Sequence, residues 1–82
     1  MEHIMNMELA DNKLTNIKFI TENFPNIDRL QLSRNQITSV ETVSRLKGMK
    51  KLNLRNNKLT VLPDEICTLT SMEGLNIRHN KL

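Results

Sequence analysis

A frame of four apolar positions and one asparagine recurs every 22 or 23 residues, and nothing else limits the fold of this chain as strongly. Its third copy is MKKLNLRNNKL, residues 49–59, with Met49, Leu52, Leu54 and Leu59 apolar and Asn57 set between the last two. The same frame stands at Ile4, Met7, Leu9, Asn12 and Leu14, and at Ile27, Leu30, Leu32, Asn35 and Ile37. It returns at Met72, Leu75, Ile77, Asn80 and Leu82. The copies begin at residues 4, 27, 49 and 72, so they are 23, 22 and 23 residues apart. A period of this length marks a solenoid, in which each repeat buries its apolar edge on its neighbour. That arrangement also eases a size problem, because 82 residues is few for one compact core.

The middle of each frame reads as a short strand: Met7-Glu8-Leu9, Leu30-Gln31-Leu32, Leu52-Asn53-Leu54 and Leu75-Asn76-Ile77. Strand side chains alternate, so the apolar pair points inward and the residue between them outward. Each strand runs the same way as the last after a connection of about 17 residues, which requires a parallel sheet. The asparagine has a backbone role. A turn after each strand leaves peptide N–H and C=O groups facing inward, and buried backbone groups must be paired. An amide both donates and accepts, so Asn12, Asn35, Asn57 and Asn80 are expected to form a structural ladder.

The segments between frames return the chain to the next strand. The first has Ile17, Ile20 and Phe24 at helical spacing, stopping at Pro25, and predicts about two helical turns. The second has Val40, Val43 and Leu46 at intervals of three and ends on Gly48, read as a helix terminator. The third keeps Leu62, Ile66 and Leu69 inward, and Pro63-Asp64-Glu65 looks like the first turn of a short helix or 3₁₀ turn. No linker, charge block or low-complexity stretch intervenes, so one domain is expected to span residues 1–82.

Composition narrows the class. No apolar run approaches the roughly 18 residues of a membrane span, and MEHIMNMELADN lacks the basic-then-apolar pattern of a secretory signal. The single cysteine, Cys67, cannot form an internal disulfide, and no Asn-x-Ser/Thr sequon is present. Disulfide-bonded end caps cannot be built, so the expected location is intracellular, in the cytoplasm. His3, His79 and Cys67 do not have zinc-site spacing, and Gly48 and Gly74 form no phosphate loop. With no histidine near it in the frame, Cys67 reads as a half-buried inert thiol. No catalytic residue, cofactor or metal site is expected, and the chain is read as not an enzyme.

The frame resembles the leucine-rich repeat family, whose strand-and-turn motif is Leu-x-x-Leu-x-Leu-x-x-Asn-x-Leu. All four copies match with Ile or Met at some leucine positions, and the resemblance covers residues 4–82. The third unit, with Leu62-Pro63-Asp64-Glu65-Ile66, looks like the intracellular repeat type marked by Leu-Pro-x-x-Ile. The second is similar to the 22-residue type of phosphatase-regulatory and dynein-associated proteins. The resemblance implies an α/β solenoid, a curved right-handed horseshoe. Its four-stranded parallel sheet would be concave, with short helical or 3₁₀ returns on the convex side. It implies binding of macromolecules through the concave sheet.

The outward positions are then Asn6, Glu8, Ala10 and Asp11, followed by Arg29, Gln31, Ser33 and Arg34. Repeat three adds Lys51, Asn53, Arg55 and Asn56, and repeat four adds Gly74, Asn76, Arg78 and His79. Repeats two to four are basic and repeat one is acidic, sharper than the net +3 suggests. The expected function is a protein–protein interaction module whose partner is acidic. Arg29, Gln31, Arg34, Lys51, Asn53, Arg55, Asn76 and Arg78 would make its contacts. Met5 would add an adaptable apolar contact near the N-terminal edge, with Met7 as its companion there or, as the strand pattern favours, in the core; Phe19 lies in the first return, and Phe24 is expected in the core. Nucleic acid is not the expected partner, because the face lacks aromatic stacking platforms. The alternative is structural: a minimal solenoid stopping at Leu82, with Leu75, Ile77 and Leu82 uncovered at an uncapped edge, assembling as a homodimer or docking on another repeat.

Overall fold

The computed structural model describes residues 5–82, apart from the side chain of Cys67. Ile4, His3 and the cysteine thiol therefore lie outside the described part. Four strands, β1 (Asn6–Glu8), β2 (Arg29–Gln31), β3 (Lys51–Asn53) and β4 (Gly74–Asn76), form one sheet in the order β1-β2-β3-β4. All three pairings are parallel, and the register aligns the frames: Met7 with Leu30, Leu30 with Leu52, and Leu52 with Leu75. The pairing continues past each strand in the same places. Leu9 N–H donates to Gln31 O, Leu32 N–H to Asn53 O and Leu54 N–H to Asn76 O, at 2.8, 2.8 and 2.7 Å.

Between the strands lie an α-helix, α1 (Lys18–Asn23), and two 3₁₀ helices, Glu41–Arg45 and Asp64–Thr68. The interval of three between Val40, Val43 and Leu46 is the 3₁₀ period itself, and all three side chains are buried. Gly48 does not terminate this helix as expected. The helix stops at Arg45 with Leu46 as its cap, and Gly48 does not have the positive φ that a left-handed terminator requires. Pro63 likewise caps the last 3₁₀ helix from an extended conformation, with ψ 144°, so its fixed φ starts the turn from outside.

The core sits between the sheet and these returns. Ile27, Leu30, Leu32, Ile37, Met49, Leu52, Leu54 and Leu59 are each no more than 2% exposed, joined by Ile17, Ile20 and Leu69 from the returns. Burying each such aliphatic side chain stabilises the fold by about 1.5–3 kcal/mol. Repeats two and three are thus closed on both sides, whereas Met7, Leu9, Met72 and Ile77 pack against this core only partly buried.

The asparagine ladder is the polar counterpart of that core. Asn35 donates to Leu9 O and Leu32 O at 2.9 and 3.0 Å and accepts from Leu14 N–H at 3.1 Å. Asn57 donates to Leu32 O and Leu54 O at 2.9 and 3.0 Å and accepts from Ile37 N–H at 3.0 Å. Asn80 repeats the pattern on Leu54 O, Ile77 O and Leu59 N–H. Each amide therefore joins its own repeat to the preceding one. No buried side-chain nitrogen or oxygen among the described residues is left without a partner.

Candidate functional site

The side chains that alternate away from the core line a concavity of about 540 Å³ on the open face of the sheet. Asn6, Arg29, Lys51 and Gly74 stand in one row, and Glu8, Gln31, Asn53 and Asn76 in the next. Both rows border the concavity. Arg55 and Arg78 follow two residues after Asn53 and Asn76, and both are exposed. Arg29 and Lys51 are exposed as well, whereas Ser33, at the position of Arg55 in repeat two, is buried.

The central row has a local reason for its geometry. The side-chain oxygens of Gln31, Asn53 and Asn76 accept the N–H groups of Ser33, Arg55 and Arg78, at 3.0, 3.0 and 3.1 Å. These bonds guide the chain out of each strand into its turn, as short amides commonly do. The next position of each repeat, Asp11, Arg34, Asn56 and His79, has φ between 56° and 61°. Asp, Asn and His are among the residues that tolerate this left-handed conformation, and Arg is the less usual occupant.

Arg34 does not point freely into the basic field. Its Nε and Nη2 donate to Asp11 Oδ1 and Oδ2 at 2.5 and 2.8 Å, a two-pronged pair between adjacent turns. The hydrogen bond from Arg34 holds the Asp11 carboxyl below the usual carboxylate range, against the opposing effect of desolvation. Asp11 raises the Arg34 pKa in return, chiefly by the same bond. A depressed carboxylate pKa adds stability above the ordinary carboxylate range that is lost as pH falls through the depressed value, and solvent keeps this effect small. The sequence showed both residues but not the pair. The signal was there in the frame, since both occupy the same repeat position in neighbouring copies.

The other candidates are distributed as follows. Leu75 is 39% exposed and Leu82 57% exposed, while Ile77 is half-buried against the core. Phe24 packs on the core, Phe19 is exposed on α1, and Met5 is exposed beside a half-buried Met7. Among the described residues no cluster of His, Cys, Asp and Glu could hold a metal ion, and no helix is long and apolar enough to cross a membrane.

Comparison with known proteins follows the same lines. The family model described as Leucine rich repeat matches residues 25–82. Tsukushi of Mus musculus is 31% identical over 81 residues, covering 93% of this chain, and the chain spans 23% of that protein's length. Neither likeness indicates an enzymatic family. The expectation of an intracellular, cytoplasmic protein is corrected by this relative, which is a secreted extracellular protein. The missing disulfides bear only on how the ends of a repeat stack are closed. They do not decide a compartment, and neither does the Leu-Pro-x-x-Ile pattern of repeat three.

Proposed function

The chain belongs to the leucine-rich repeat family, and from that premise we propose that residues 1–82 form one non-catalytic binding domain for an acidic segment of a protein partner. Domains of this family generally mediate protein–protein interaction. The observation that carries the reading here is the placement of exposed cations. Arg29 and Lys51 line the concavity on β2 and β3, and the exposed Arg55 and Arg78 stand two residues beyond Asn53 and Asn76, past the ends of β3 and β4. Arginine makes two-pronged, charge-assisted bonds to carboxylates, which gives such a face both attraction and orientation. The chain has no Trp or Tyr, so affinity must come from this polar chemistry rather than from aromatic anchors. Arg34 is held in reserve by Asp11.

Asp11→Asn removes the carboxylate and frees the Arg34 guanidinium on the turn that follows β2, next to the binding face. Binding of a glutamate-rich peptide, measured by fluorescence anisotropy at low salt, should tighten about twofold to fivefold, the effect of one further exposed cation. Weaker binding by the variant would contradict a basic recognition face. The self-assembly reading through Leu75, Ile77 and Leu82 leans on where the chain stops. A chain that spans 23% of its relative's length gives that argument no weight.

A further inference from the structure

We propose that the open face is a donor-rich lattice that selects an extended acidic segment lying diagonally across the sheet, from Arg29 to Arg78. This rests on the binding face proposed above and names the chemistry and direction of its ligand. Gln31, Asn53 and Asn76 occupy one register row. Each commits its carbonyl oxygen to a backbone N–H two residues on. An amide held by its oxygen cannot flip without losing that bond, so its NH₂ group is turned outward as the wholly unpartnered end. Among the described residues none of these three NH₂ groups donates to the protein, whereas those of Asn35, Asn57 and Asn80 are engaged by carbonyls. The row offers three NH₂ groups with no partner in the described chain, beside oxygens that each already accept one N–H.

The cations flank this row obliquely. Arg29 and Lys51 precede it on β2 and β3, and Arg55 and Arg78 follow it after β3 and β4. Gly74 leaves the leading row without a cation on β4, and buried Ser33 leaves the trailing row without one after β2. Strands about 4.8 Å apart with about 3.3 Å per residue put the Arg29 and Arg78 backbones roughly 16 Å apart. Four steps of extended chain cover about 13 Å of that distance, and the long arginine side chains reach the remainder. Glu8 continues the amide row on β1 as an exposed carboxylate and repels an acidic ligand there. The ligand is therefore an extended peptide with acidic side chains about four positions apart, its carbonyl groups meeting the amides between them.

The experiment uses the ¹⁵N-labelled chain and two synthetic peptides of equal composition, one with two glutamates four positions apart in a serine background and one with them adjacent. The spaced peptide should bind about threefold or more tightly than its isomer and shift the side-chain NH₂ resonances of Gln31, Asn53 and Asn76, leaving those of Asn35 and Asn57 in place. Asn53→Asp retains an acceptor for the Arg55 N–H, so it keeps the turn while replacing the donor with a carboxylate. It should lower affinity about tenfold. Binding with shifts at the arginines but none at the three amides would overturn the donor lattice and leave the basic binding face standing. Absence of any response on β2 to β4 would overturn both. Tighter binding of a sulfated oligosaccharide of equal charge would overturn the choice of a peptide ligand.

Discussion

Replacing Asn57 with alanine lowers the unfolding free energy by about 2–4 kcal/mol, a large share of what a small domain has. The figure follows from which bonds are shared. Leu32 O accepts from both Asn35 and Asn57, and Leu54 O accepts from both Asn57 and Asn80. Without the Asn57 amide each carbonyl keeps one donor. The N–H of Ile37 loses its acceptor, and the cavity left by the side chain lies beside core leucines. An unsatisfied buried N–H costs about 1–3 kcal/mol, and the void and the two weakened bonds account for the rest. Chemical denaturation monitored by circular dichroism reads the change directly. Asn12→Ala should cost much less, because Asn12 is exposed and no preceding repeat in the described chain shares its bonds.

Asn57→Asp sharpens the test. The ionised carboxylate cannot donate, and it faces the carbonyls of Leu32 and Leu54 in a site that is 7% exposed in the parent chain. Burial and those carbonyls raise the folded-state pKa above the unfolded value of about 3.9. Above the unfolded pKa the variant therefore loses stability as pH rises, until the raised folded pKa is passed. It should be most stable in acid, the reverse of what the depressed Asp11 carboxyl contributes.

Reversing two charges, Arg55→Glu with Arg78→Glu, should weaken binding of an acidic partner segment by about tenfold or more while leaving the unfolding transition in place. Both side chains are exposed, and the turn depends on their backbone N–H groups rather than on their guanidinium groups. The partner loses two attractive contacts and gains two repulsions. Lys13→Glu with Lys18→Glu changes net charge equally from exposed positions in the first repeat and on α1, remote in sequence from β3 and β4, and it should have a much smaller effect. Equal losses from the two double variants would mean that only total charge matters.

The frame made the parallel strand order and the asparagine ladder legible, because each depends on residue types repeated at one spacing, while each strand starts and ends one residue before the triplet read from it. Leu52 and Leu54 had to be inward once Asn53 lay between them, and the ladder followed from what an amide can donate and accept. The turn geometry was less visible. Asp11, Arg34, Asn56 and His79 share a left-handed backbone, yet their side chains have little in common. The Asp11–Arg34 pair joins residues 23 apart and needed the turns to be stacked before it could be seen. Gly48 misled because helix ends so often use glycine, whereas a 3₁₀ helix that has already closed at Leu46 makes no such demand. The compartment was beyond reach, since one cysteine constrains disulfides and nothing else.

Site-directed photocrosslinking shows which face of the sheet meets a partner, because it locates the contact without presuming the partner's identity. A benzophenone amino acid placed at Lys51, on the open face, is compared with the same group at Val61, which is 65% exposed and does not border the concavity. With both conditioned medium and cell extract as sources, Lys51 should give a discrete adduct and Val61 none. An adduct from Val61 with none from Lys51 would contradict binding through the open face.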